Sequence, residues 1–185
     1  MTGRGARQRI LNTAIDLFYR EGINATGVER LASEASVSKR TLYQHFPSKT
    51  AVVEEYLRYI QQAVEDPIRP GPEAATHTPR ERILALFETP SPDGPMRGCP
   101  FHNAAVEAAE AMPEIQDIVH EHKRNYIKGL TKLARQAGAA NPTQLGNQLG
   151  VLYEGAAALS TSLDDPAPWT HARTAVQTLL DQAGA

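Results

Sequence analysis

The sequence predicts an all-α protein of nine helices, three short ones followed by a larger helical bundle. Three observations predict it. Apolar side chains recur at three- and four-residue spacing along most of the chain, the period of an amphipathic helix. Helix starts are marked by Thr, Ser or Asn caps and by prolines at first positions, and helix stops by glycine. No run of useful length alternates with the period of a strand, and no segment repeats.

The elements follow in order. From Arg7 to Glu21 the stripe is Ile10, Leu11, Ala14, Leu17 and Phe18, and Gly22 stops the helix. Thr26-Gly27-Val28-Glu29 reads as a capping box opening a short helix with Val28, Leu31, Ala32 and Ala35 inward. Ser38 caps a third helix from Lys39 to about Phe46, and Pro47 ends it. Ser48 caps a longer fourth helix with Val52, Val53, Tyr56, Leu57, Ile60 and Ala63 as its stripe. The stretch from Asp66 to Pro100 holds eight of the 13 prolines and reads mostly as connector. Within it, Thr78-Pro79-Arg80-Glu81 restarts a short helix bearing Ile83, Leu84, Leu86 and Phe87. Helices are predicted over 101–111, from Pro113 to Ala137 with Gly138 as the stop, from Asn141 to about Leu163, and from Trp169 to Gln182.

Composition sets the outer bounds. At 185 residues, 41% hydrophobic and 22% charged, the chain is long enough to bury a full core. One cysteine, Cys99, excludes an internal disulfide framework. No apolar run approaches the about 20 residues of a membrane span, and Met1-Thr-Gly-Arg-Gly-Ala-Arg lacks the apolar core of a signal peptide. A soluble cytoplasmic protein with no membrane partner is expected. The formal net charge of -2 hides an asymmetry: residues 1–50 carry +4 and residues 51–185 carry −6. A basic end on an acidic chain suggests a polyanion partner at that end.

The second and third helices, each about two turns long and joined at Ser36-Val37, have the layout of a helix-turn-helix, whose second helix enters the major groove. That helix offers Lys39, Arg40, Thr41, Tyr43, Gln44 and His45 outward, while Leu42 and Phe46 anchor it. Arginine forks onto guanine and glutamine onto adenine. Lysine, threonine and tyrosine suit phosphate. Lys49 stands at the start of the fourth helix, where helix-end N–H groups also favour phosphate.

Arg9-Ile10-Leu11, Ala14, Leu17-Phe18, Gly22, Thr26, Leu31-Ala32, Val37-Ser38, Thr41-Leu42-Tyr43, His45-Phe46 and Ser48-Lys49 resemble the N-terminal signature of TetR-like regulators, the tetracycline-repressor family. The likeness is tight over residues 7 to 53 and extends in helix order to the whole chain. It implies a DNA-binding domain over 1–49 and an effector-binding and dimerisation domain over 50–185. The DNA-binding set is Thr26, Ser38, Lys39, Arg40, Thr41, Tyr43, Gln44, His45 and Lys49. Two positions depart from the pattern. Arg40 stands where many members carry glycine, and Ser36 occupies the usual glycine of the turn, which strains the backbone if φ is positive there.

The resemblance also implies a homodimer through the last two helices, with Gly150, Ala157, Leu159, Val176, Leu179 and Leu180 as interface candidates; a protomer's own core would use the same residues. It implies a small-molecule effector among the fourth to seventh helices. Candidates there are Tyr56, Tyr59, Phe87, Met96, Cys99, Phe101, Asn103, Tyr126 and Tyr153. The reading is a repressor that binds a palindromic operator as a dimer and is released by ligand, with no cofactor. His120 and His122 fall on opposite sides of a helix, so they make no metal pair, and no phosphate loop or nucleophile elbow marks an enzyme. The alternatives are a helical redox sensor acting through Cys99 and a protein-interaction bundle that ignores DNA.

Overall fold

The computed structural model describes residues 3–63, 76–90, 97–108 and 111–185. Among these residues the elements are nine helices: α1 (Gly3–Glu21), α2 (Val28–Glu34), α3 (Lys39–His45), α4 (Lys49–Ala63), α5 (Pro79–Ala85), α6 (Pro100–Ala108), α7 (Pro113–Gln136), α8 (Pro142–Leu163) and α9 (Ala167–Ala183).

Most helix ends are made as the sequence predicts. Ser38 Oγ accepts from Thr41 N, and Ser48 Oγ accepts from Ala51 N, each at 3.0 Å. Thr78 and Glu81 form a complete capping box, with Pro79 at the first position. The two backbone and side-chain donations from Thr78 hold the Glu81 carboxyl below its ordinary range. Asn141 Oδ1 accepts from Gln144 N at 3.1 Å. One prediction is corrected. The N-cap of α2 is Gly27, without a side-chain cap. Thr26 is fully buried, and its hydroxyl donates to Gly22 O at 2.8 Å. The cap site thus lies one residue further on, Glu29 falls at the second helical position, and no capping box forms.

The chain packs into two compact units, Met1–Val64 with Pro100–Glu121, and Glu65–Cys99 with His122–Ala185. In the first unit Ile10, Leu31, Leu42, Val52, Val53 and Leu57 are fully buried. Phe18 meets Tyr56 edge-on at 5.6 Å. The sequence reading cuts at residue 49; here α4, α6 and the first turns of α7 fall in one compact unit with α1, α2 and α3.

In the second unit Ile83, Phe87, Leu130, Leu149, Val176 and Leu180 form the centre of one core. The glycines of α8 divide between two faces. A side chain at Gly146 would meet the Thr131 backbone of α7 at 2.8 Å, and one at Gly150 would touch Ile127 at 3.4 Å, whereas Gly155 has nothing within 4 Å. The close approach of α8 to α7 therefore depends on the first two. Arg173 reaches back to donate to the Leu84 carbonyl of α5.

Candidate nucleic-acid interface

The turn between α2 and α3 is built by backbone geometry. Ser36 adopts φ 52°, the left-handed conformation. Ser36 N bonds Ser33 O at 3.0 Å and Val37 N bonds Ala32 O at 2.9 Å, the paired bonds of a Schellman stop. Arg9 braces it from α1, with Nε donating to Ala35 O at 3.0 Å. Below α3, Leu42 is 0% and Phe46 2% exposed. The Arg7 guanidinium lies 5.0 Å from the centre of the Phe46 ring and pairs with Glu55 at 2.9 Å. The anchored face leaves Lys39, Arg40, Tyr43 and Gln44 exposed on one helix, with Thr41 and His45 half-buried beside them. Ser38 is exposed at its N-cap, and its Oγ lies 2.8 Å from Thr41 Oγ1.

Electrostatics adds two ion pairs that sequence reasoning missed. Lys39 pairs with Glu29 of α2. The carboxylate raises the lysine pKa above its ordinary value, and the lysine lowers that of the acid. Arg30 pairs with Glu21, tying α2 to α1. Charge-pair spacing within one helix is legible in a sequence, but these pairs bridge two helices. Lys49 is half-buried at the start of α4. Burial lowers its pKa, and the nearby Glu107 carboxylate opposes that shift. Thr26 does not join the exposed row: its hydroxyl is committed inside the head.

Known proteins resemble this chain in sequence and in structure. Residues 10–56 match the bacterial regulatory proteins of the tetR family, and residues 79–176 match the tetracyclin repressor-like C-terminal domain. The chain belongs to the TetR family. A TetR transcriptional regulator from Streptomyces avermitilis superimposes with a TM-score of 0.80 at 30% identity, covering 96% of this chain and 97% of that one. SCO4454, a TetR-family regulator from Streptomyces coelicolor, gives 0.79 at 30% identity over 98% and 97% of the two chains. The HTH-type transcriptional regulator LmrA of Bacillus subtilis is 25% identical over 186 residues, 95% of this chain and 96% of its own length. This TetR-family chain is thus a DNA-binding transcriptional regulator and not an enzyme.

The effector candidates of this TetR-family chain are scattered. Tyr56 is buried in the first unit against Phe18, Phe101 is buried there too, Asn103 is half-buried, and Tyr59 is 40% exposed. Met96 lies outside the described residues. Three candidates do meet in the second unit. Tyr153 stands 5.2 Å from Tyr126 and 6.1 Å from Phe87. Trp169, which the sequence reading used only as a helix start, completes the group at 5.2 Å from Tyr153. Lys123 Nζ donates to Cys99 Sγ at 3.3 Å and pairs with Glu154; its place on α7, 24 residues from Cys99, left no local signal.

The interface candidates also divide. Gly150, Ala157, Val176 and Leu180 are buried within the protomer, the other use the sequence left open for them. Leu179 is half-buried against that core. Leu159 is 54% exposed, as are Val151 at 72% and Leu163 at 63%. No helix among the described residues is long and apolar enough to cross a membrane.

Proposed function

We propose that this regulator is a repressor that grips a palindromic operator as a homodimer and lets go when a small molecule binds its second unit. The outward row of α3 carries the reading. Arg40 and Gln44 are the base-reading residues, suited to guanine and adenine edges. Lys39, Thr41, Tyr43, His45 and Lys49 set the head on phosphates, with Ser38 holding the helix start. Occupation of a promoter palindrome by two heads blocks transcription by exclusion, and two-fold symmetry sets half-sites about one helical turn or more apart.

The dimer surface is the exposed face of α8, where Val151, Leu159 and Leu163 flank the small Gly155 and Ala158. Such a face lets a second copy approach closely and buries apolar area that a lone protomer leaves in water. The effector site is built on the ring cluster of Phe87, Tyr126, Tyr153 and Trp169. An effector with higher affinity for the conformation that misfits DNA releases the operator by that difference. Cytoplasmic residence follows from DNA as target.

The test is binding to palindromes selected from a random duplex library. If the dimer neutralises about eight phosphates, log K falls against log[salt] with a slope near −7. Arg40→Ala lowers affinity by about 1–3 kcal/mol and relaxes one operator position. A protein that stays monomeric and selects no palindrome overturns the reading.

A further inference from the structure

We propose that Glu107, on α6, is a positioning residue for DNA reading: it holds the corner between α1 and α2, so operator affinity depends on where α6 carries its carboxylate. The hold is double, with Asn24 donating both bonds. Asn24 N donates to Glu107 Oε2 at 2.9 Å, and Asn24 Nδ2 donates to the Glu107 carbonyl at 2.8 Å. The niche is made for it. Gly22 closes α1 with φ 102°, and any side chain there would lie 2.9 Å from Oε2 and 3.1 Å from Oε1. Thr26 locks the other side of the same corner by donating to Gly22 O. The carboxylate also acts on Lys49, favouring its charged form against burial. One acidic side chain thus addresses the end of α1, the entry to α2 and the first turn of α4. All three carry or orient the reading helix.

The hold on α6 is itself supported. Gln116 of α7 donates to the Ala105 carbonyl at 3.1 Å, two residues before Glu107. A rotation of α6 about its axis withdraws the acceptor from Asn24 N–H and the charge from Lys49 together.

The inference rests on the regulator reading only for its DNA readout, and the experiment separates the two. Operator affinity and amide exchange at Asn24 are measured in full-length wild type, Glu107→Ala and Glu107→Gln. The alanine variant loses about tenfold in operator affinity and exchanges Asn24 N–H at least tenfold faster. Glutamine keeps an acceptor oxygen and restores both to within about threefold. Wild-type affinity and exchange in Glu107→Ala, or a glutamine variant as impaired as alanine, overturns the proposal. If Glu107→Ala does not fold, Asn24→Ala removes the Nδ2 bond alone. A smaller loss of affinity in that variant supports the hold, and none overturns it. Failure of wild type to bind any duplex counts against the regulator reading, and the exchange rates still judge the hold.

Discussion

Arg9 on α1 donates through Nε to the carbonyl of Ala35 at 3.0 Å, immediately before the left-handed Ser36. The brace joins the first helix to the turn that aims the reading helix. It also explains how a serine is kept where the family pattern places glycine: the carbonyl ahead of it is pinned, and its own N–H is bonded to Ser33 O.

Ser36→Gly stabilises the protein. A left-handed non-glycine residue costs about 1–2 kcal/mol, and glycine's extra freedom when unfolded takes back about 0.5–1. The net gain of about 0.5–1 kcal/mol raises the melting temperature by about 2 °C. Calorimetry that finds no rise means the turn carries no strain.

Glu29→Gln strengthens DNA binding a few-fold, on operator and random duplex alike. It frees Lys39 from its ion pair and removes a negative charge beside the phosphates. Anisotropy titrations at two salt concentrations check this. A gain confined to one operator position would make Glu29 a base reader instead.

Leu159→Glu yields a folded monomer, because the side chain is exposed in the protomer. Ala157→Glu unfolds the chain instead, because that residue is 5% exposed and the charge has no partner. Sedimentation and melting curves for both variants distinguish interface from core. A Leu159→Glu dimer would place the interface elsewhere.

Operator affinity declines as pH rises through the alkaline range below 10.5. Burial lowers the Lys49 pKa in the free protein, while a phosphate contact favours its charged form. Binding therefore takes up a proton, and each step up in pH opposes it. Lys39 does not titrate in that window, since Glu29 raises its pKa. Lys49→Arg flattens the profile, because arginine stays charged; an unflattened slope would assign it to another group.

What was legible in the sequence was local. Ser38, Ser48, Thr78 and Asn141 bond to backbone N–H groups three residues away, and each announces its helix. Leu42 and Phe46 announce the inner face of α3 by spacing alone. Thr26 misled because a buried threonine that bonds backward, to Gly22 O, has the same neighbours as one that caps forward. The interface candidates of α8 divide for another reason. Periodicity tells which residues share a face, not which neighbour takes it, and α7 took Gly146 and Gly150. The Asn24–Glu107 hold spans 83 residues, and Lys123–Cys99 joins residues 24 apart. Neither leaves a trace in spacing.

The reading head is therefore not a portable module. A chimera that transplants the first 64 residues onto a foreign body severs Asn24 from its carboxylate. Swaps of DNA specificity between relatives need α6 carried along with the head, or an acid re-created at the graft.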